Sequence, residues 1–450
     1  MPTQANSLRT SEATSAFWRW ERGDQPVFSP RRAAVPRPVH ARLPSARTDV
    51  VLGWFHRYPA RFAADVVTFM LAQAVTEADR PVETVLDPFC GTGAVVSAGR
   101  QLGLAATGLE LTTLGAMIGR LRLDPPPNPR AAAAHCEGLT RLPPAAVSAV
   151  GDELTGWLGE DNARLLTAWK PAVLALEDER LRRFALVALS QSLRPSSRWL
   201  VDSVKVTADP HRVPIPLAHS LRRWARQLAR DCEAELAAFG AARDSHGGRP
   251  LPAAGAAPPA VVLHADARHL ALPDASVDAI VTSPPYFVTY DYFDVQRLSY
   301  LAFDWPMRRD LQIGAKFRQA QMIGPVGLPP AFRSWYEQDF RAERTVLGRA
   351  LRAYVDGLRC HLAEALRVVA PGGVVVYSVA NTVRAGRVFD LAGGFRELLT
   401  EAGFTDVRAT ARVQEGRRIL PAGRDPRTGR FTGGAGSAGV REYVVLGRRP

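Results

Sequence analysis

Two short strings in this chain combine residue types that an ordinary loop has little use for. The first, Asp87-Pro-Phe-Cys-Gly-Thr-Gly93, puts a carboxylate, an aromatic ring and two glycines into one turn. Gly91 and Gly93 can take positive φ and carry no Cβ, so the backbone can turn sharply and come close to a ligand. Glu110 follows Asp87 by 23 residues, the spacing at which a carboxylate ending the next strand can accept hydrogen bonds from ribose hydroxyls. The second string is Thr282-Ser-Pro-Pro-Tyr286. Its consecutive prolines fix φ twice and remove two N–H donors, leaving carbonyls that only accept. Such an array suits a substrate that donates hydrogen bonds, as an exocyclic NH2 does. The lone pair of an amine conjugated to a ring is delocalised. Accepting its two hydrogens at Ser283 and at a backbone carbonyl favours a pyramidal nitrogen and frees the pair for attack on an electrophile. Ser283 is not a strong base, so proton loss would follow or accompany that attack. Tyr286 supplies a flat face for stacking.

Both strings need strands to hold them, and the pattern supplies these. Glu83 to Asp87 reads as a short buried strand that breaks into the glycine turn. A helix follows from Ala94 to about Leu102, ended by Gly103, and a second strand runs from Ala105 to Glu110. Further on, Val261 to His264 is a strand leading to Asp266, and Val277 to Thr282 is another, leading directly into Ser283. A long amphipathic helix over about 343–369, stopped by Pro371-Gly-Gly373, precedes a strand over 374–379. A helix at about 391–402, a strand near 406–413 and a last strand from Glu442 to Leu446 complete the set. Alternating β and α elements predict an α/β fold, a doubly wound, mostly parallel, Rossmann-like sheet. The last strand follows its neighbour through a loop with no helix between, which makes it antiparallel. Both strings then lie at the carboxyl ends of strands, where open α/β sheets bind ligands.

Four segments are expected. Residues 1–50 are rich in Pro and Arg without sustained periodicity and read as an extended arm, partly disordered. Residues 51–122 hold the first part of the sheet domain, opened by a helix near 63–75. Residues 123–260 begin at the hinge Asp124-Pro-Pro-Pro127 and read as a mainly helical insertion between strands two and three, with helices near 144–158, 161–176, 178–192 and 217–239. Residues 261–450 complete the sheet domain, with a loop-rich run at 303–340 and an Arg/Gly-rich loop at 415–440.

The net charge of +13 points towards a polyanionic partner. The lysines are Lys170, Lys205 and Lys316 and every other cation is arginine, which suits phosphate and guanine but is also what a GC-rich genome produces. Arg194, Arg198, Lys205, His211 and Arg212 lie in a kinked polar run within the insertion, and Arg417, Arg418, Arg424, Arg427 and Arg430 lie in the glycine-rich loop. Either group could track phosphates or be a solvated surface. Cys90, Cys136, Cys232 and Cys360 show no CxxC spacing, so neither a zinc site nor a disulfide framework is expected. No apolar run is long enough to span a membrane, and the N-terminus has no signal-peptide core; a cytoplasmic protein is expected.

The string Asp87 to Gly93 closely resembles the S-adenosylmethionine-binding motif of amino-methyltransferases, D-P-F-x-G-x-G, and departs from the NAD fingerprint because Val96 stands where a third glycine would be. The string at Ser283 resembles the S-P-P-Y signature of bacterial cytosine-N4 DNA methyltransferases, whereas adenine-N6 enzymes more often carry D-P-P-Y or N-P-P-Y. By that resemblance Asp87, Pro88, Phe89, Cys90, Gly91, Thr92 and Gly93 form the cofactor turn, Glu110 holds the ribose and Asp266 contacts the adenine amine. Ser283, Pro284, Pro285 and Tyr286 form the catalytic turn. The segment His56-Arg-Tyr-Pro-Ala-Arg-Phe62 is similar to one that precedes the cofactor motif in such enzymes, so Tyr58, Pro59 and Phe62 would help close the cofactor site. Tyr290, Tyr292 and Phe293 could stack on a flipped base, with at least one of them in the core. The resemblance implies site-specific methylation of cytosine N4 in DNA, in a restriction or defence setting, with a partner nuclease possible. Adenine N6, an RNA base, a protein amide and a catalytically silent nucleic-acid-binding subunit remain as alternatives.

Overall fold

A computed structural model describes residues 50–57, 62–146, 151–200, 206–245, 259–287, 291–314, 327–339, 346–384, 387–412, 423–424, 431–432 and 442–450. By contacts the described chain falls into two compact units, one formed by residues of 126–200 and 207–229 and the other by residues of 50–125 and 230–450.

In the larger unit, α1 (Ala64–Glu77) leads into β1 (Thr84–Asp87), α2 (Ala94–Gln101), β2 (Ala105–Glu110) and α3 (Thr113–Leu123). Apolar β1 and the last half of β2 are buried, which is what a central strand covered on both faces requires. The smaller unit is helical: α4 (Pro129–Leu139), α5 (Asp152–Leu158), α6 (Glu160–Leu174), α7 (Glu179–Leu193) and the start of α8 (Leu217–Ser245). Chain order then returns to the sheet with β3 (Ala260–His264), β4 (Val277–Thr282), the short helices α9 (Tyr292–Val295) and α10 (Arg297–Phe303), α11 (Pro330–Asp339) and α12 (Val346–Val368). Strand β5 (Val369–Ala380) is followed by a small hairpin of Thr382–Arg384 with Arg387–Phe389, and α13 (Leu391–Ala402), β6 (Thr405–Arg412) and β7 (Glu442–Arg448) close the fold.

The seven strands stand in the order β3-β2-β1-β4-β5-β7-β6. All neighbours from β3 to β5 are parallel, while β7 is antiparallel to both β5 and β6, as the missing helix before it requires. The order reverses between β1 and β4, so Asp87 and Thr282 end adjacent parallel strands at the switch point. One face of the sheet packs on α12 and α13 through Leu351, Val355, Leu358, Phe395 and Leu399. The other packs on α1, α2 and α3 through Val67, Met70, Val95 and Ala116.

Several boundaries differ from the expected ones. α3 and α4 are Ala-, Gly- and Arg-rich and carry little periodic contrast, so they escaped the sequence reading. Residues 303–340, read as loop, contain α11. Pro371-Gly-Gly373 does not precede β5 but lies within it: Val277 pairs with Val369 and Ala279 with Val374, so the triplet is a bulge with Gly372 at φ 76°. The helical insertion also ends sooner than expected, because α8 belongs to the sheet unit from Arg230 onward. There Glu235, fully buried, accepts Ser97 Oγ at 2.6 Å and the Gly53 N–H at 3.0 Å and pairs with Arg122. Those bonds replace the water that the carboxylate gave up.

Candidate active site

The glycine turn is built by close approach. Gly91 and Gly93 have φ of 51° and 76°, and a Cβ on Gly93 would sit 3.2 Å from the Gly119 Cα of α3. The Cys90 N–H donates to the Leu109 carbonyl at 2.9 Å, and the Gly91 N–H donates to Glu110 Oε2 at 3.0 Å. The turn is therefore held against the end of β2 by its own backbone. Glu110 Oε1 also accepts the Thr112 N–H at 2.8 Å and the Thr112 hydroxyl at 2.5 Å, which draws in the start of α3. Burial raises the Glu110 carboxyl above its usual range, and these hydrogen bonds oppose that rise. Cys90 is a packing residue: its Sγ lies 2.8 Å from where a Cβ on Gly108 would stand, and burial pushes the thiol up, away from the reactive thiolate.

The second turn is bonded to the first. Thr282 Oγ1 donates to Asp87 Oδ1 at 2.5 Å, and the Phe89 N–H donates to the same oxygen at 3.1 Å. Burial pushes the Asp87 carboxyl up to about 7, the two hydrogen bonds oppose that, and the Glu110 charge adds to it. The Ser283 hydroxyl donates to the Ser378 carbonyl of β5 at 3.1 Å. Pro285 presents its carbonyl to the buried Tyr354 hydroxyl of α12 at 3.0 Å, which fixes the double proline from beneath.

Both turns open on one cleft of about 960 Å³, its mouth included. Asp87 to Thr92, Glu110, Asp266, Ser283 to Tyr286 and Phe62 all line it, so nearly every expected site residue converges there. Gly93 is set behind the lining as the N-cap of α2. Asp266 reaches the cleft already paired, its carboxylate gripping Arg268 with Nη2 to Oδ2 at 2.6 Å. Of the aromatics after the catalytic turn, Tyr292 lines the cleft, whereas Phe293 is buried edge-on against Tyr300 with ring centroids 5.4 Å apart. Tyr58, Pro59 and Tyr290 lie outside the described residues.

The sequence reading missed Thr112, Ala265, Ala267, Leu311, Gln312 and Ile313 of the lining. The first three adjoin expected residues, and that adjacency was the available signal; 311–313 come from a run without periodicity. Beneath the cleft the reading also missed a buried pair. The His361 Nδ1–H donates to the Ala267 carbonyl at 3.0 Å and the Tyr377 hydroxyl donates to His361 Nε2 at 2.7 Å, while the Phe89 ring stands edge-on to the imidazole at 4.7 Å.

The expected basic residues are not drawn into this cleft's lining. In the helical unit Arg194 stacks over Trp199 at 4.8 Å, Arg198 donates to the Gly156 carbonyl at 3.0 Å, and Arg212 donates to the carbonyls of Trp199 and Pro195. Lys205, Arg417, Arg418, Arg427 and Arg430 lie outside the described residues, and for Arg424 only the backbone is described, in a two-residue strand with Phe431–Thr432.

No protein-family profile and no curated protein sequence matches the chain. Among solved structures it is similar to a protein of Thermus thermophilus assigned as a DNA modification methylase and crystallised with S-adenosyl-L-methionine. Identity is 21% over 41% of this chain and 54% of that one, with a TM-score of 0.21, so the chain spans about half the length of that protein. It is also similar to the rRNA methyltransferase aviRa of Streptomyces viridochromogenes, at 13% identity over 92% and 95% of the two chains and a TM-score of 0.29. At such scores the superpositions establish nothing about the fold, which rests on the strand order above. Among the described residues no helix is long and apolar enough to cross a membrane.

Proposed function

We propose that this chain is an S-adenosylmethionine-dependent methyltransferase that methylates the exocyclic N4 amine of cytosine in DNA. One observation carries the reading: the 2.5 Å hydrogen bond from Thr282 to Asp87 ties a turn suited to the cofactor to a turn suited to an amine, so that both open on one cleft. The lining fits the cofactor. The positive-φ glycines leave room for it, Asp87 would meet its amino-acid end, Glu110 the ribose and Asp266 the adenine amine. When bound, it supplies an electrophilic methyl group on a sulfonium.

The chain's own residues prepare the nucleophile. With its proton held by the Ser378 carbonyl, Ser283 Oγ meets the cleft through its lone pairs and accepts one amine hydrogen. Tyr354 occupies the Pro285 carbonyl, which leaves the Pro284 carbonyl as the second acceptor. Two acceptors fixed by β5 and α12 hold the nitrogen pyramidal without reorganising during the reaction. Tyr286 and Tyr292 offer stacking faces to a base taken out of its duplex, which costs a few kcal/mol. Cytosine is favoured by the serine in place of Asp or Asn, and DNA by the resemblance together with the charge of +13.

The test incubates pure protein and labelled S-adenosylmethionine with unmethylated DNA, RNA or peptides and identifies the modified product. N4-methylcytosine in DNA is expected. N6-methyladenine alone would correct the base, and transfer only to RNA or peptide would overturn the reading. Ser283→Ala should bind cofactor as wild type does and lose roughly 100- to 1000-fold in turnover.

A further inference from the structure

We infer that Gln312 is a specificity-determining residue, whose side-chain amide donates a hydrogen bond to the ring nitrogen beside the target amine. The inference rests on the methyltransferase reading and deepens it. Gln312 is only 8% exposed, yet it lines the cleft that Ser283 and Tyr286 line. A buried amide in a cleft wall is a fixed hydrogen-bonding group there, stronger than the same group in water. Its Oε1 accepts the Tyr292 N–H at 3.2 Å, which fixes the plane of the amide and puts the NH2 on the opposite side from that bond. The segment is rigid where it matters: Gly314, two residues on, has φ of 79°, and a Cβ there would stand 3.5 Å from the Tyr286 carbonyl and 3.4 Å from the Tyr354 ring. Gln312 is thus anchored beside the tyrosine on which the base would stack.

The chemistry of the substrate supplies the other half. An aminopyrimidine presents, next to the exocyclic amine, a ring nitrogen that accepts a hydrogen bond. The catalytic turn offers acceptors only, since its prolines have no N–H and the Ser283 proton is held by Ser378. A base held by its amine alone could pivot about that group, and an amide donor on the adjoining wall stops the pivot. Sites that hydrogen-bond a substrate group reject analogues lacking it far more strongly than apolar walls reject a missing methylene.

Wild type, Gln312→Leu and Gln312→Glu are compared for methyl transfer to long unmethylated duplex DNA, and for S-adenosylmethionine binding by calorimetry, between about pH 5.5 and 8.5. The leucine variant should lose about 10- to 100-fold in kcat/KM for DNA, with cofactor affinity unchanged. The glutamate variant should fall further behind wild type as pH rises and recover in part as it falls, because only the protonated carboxyl can donate. Wild-type kcat/KM in the leucine variant overturns the inference. So does a glutamate variant whose activity relative to wild type ignores pH, or loss of cofactor binding in both variants, which would make Gln312 merely structural. If wild type binds cofactor and methylates no DNA, the methyltransferase reading falls, and the inference falls with it.

Discussion

At the scale of single residues the site is governed by where two carboxylates are put. Asp87 and Glu110 end neighbouring strands and are both buried, so each is raised, and the positive charge that would relieve them is not supplied by the lining itself. Asp87 therefore has a measurable linkage to pH. Its folded value, about 7, lies above the ordinary 3.8, so between those values the folded chain holds a proton that the unfolded chain has released. Its contribution to stability is complete below pH 3.8 and is lost as pH rises through about 7, with a total on the order of 4 kcal/mol. Asp87→Asn keeps the shape and removes the titration. The gap in unfolding free energy between wild type and the variant, read by urea denaturation across that window, should move against wild type as pH rises. A gap that is flat with pH would mean that Asp87 is ionised in the folded protein throughout.

At the scale of elements, helix α12 does more for the cleft than cover the sheet. It carries Tyr354, which holds the Pro285 carbonyl, and His361, which bridges Ala267 and Tyr377 under the Phe89 ring. Burial lowers His361 to about 4, so it is neutral at pH 7 and can donate through Nδ1 while accepting through Nε2. That contribution is present above the ordinary 6.5 and is lost as pH falls through about 4. His361→Leu strands the Ala267 carbonyl and the Tyr377 hydroxyl and should cost about 2–5 kcal/mol at neutral pH, with weaker cofactor binding because Ala267 and Phe89 both line the cleft. His361→Gln, which keeps a donor and an acceptor, should recover part of both, and equal losses in the two variants would deny the bridge. None of this was legible beforehand, because a single histidine in an amphipathic helix carries no spacing signal. The strands and turns were legible for the opposite reason. β1, β2 and β4 are short buried apolar runs broken by Gly or Pro, and the residues that end them must be special to leave a sheet at its ligand-binding edge. Glu110 and Asp266 were read correctly as lining, while the Asp266–Arg268 clasp was not, since an Asp two residues from an Arg fits many ordinary turns.

At the scale of the whole molecule the question is which charges meet the polyanion. A chain with a net charge of +13 should bind DNA in a salt-dependent way, with log K falling against log salt by about 0.9 for each phosphate neutralised on a duplex. In the helical unit the guanidiniums of Arg198 and Arg212 already have carbonyl partners, on Gly156 and on Trp199 and Pro195. A guanidinium that closes its own fold forfeits those bonds if it turns to a phosphate, and stranding buried carbonyls costs about 1–3 kcal/mol each, comparable to what one phosphate contact returns. Arg198→Ala and Arg212→Ala should therefore lower the melting temperature of the protein while leaving the salt slope for a long duplex unchanged. Charge reversal at the exposed Arg223, which lies on α8 over the Trp224 ring at 5.3 Å, should spare stability by comparison. The measurement is the slope itself, from titrations at several salt concentrations with each variant at equal folded fraction. A drop in slope of about 0.9 on Arg212→Ala would show that this residue leaves Trp199 and Pro195 to neutralise a phosphate, and that the loop it closes rearranges when DNA binds.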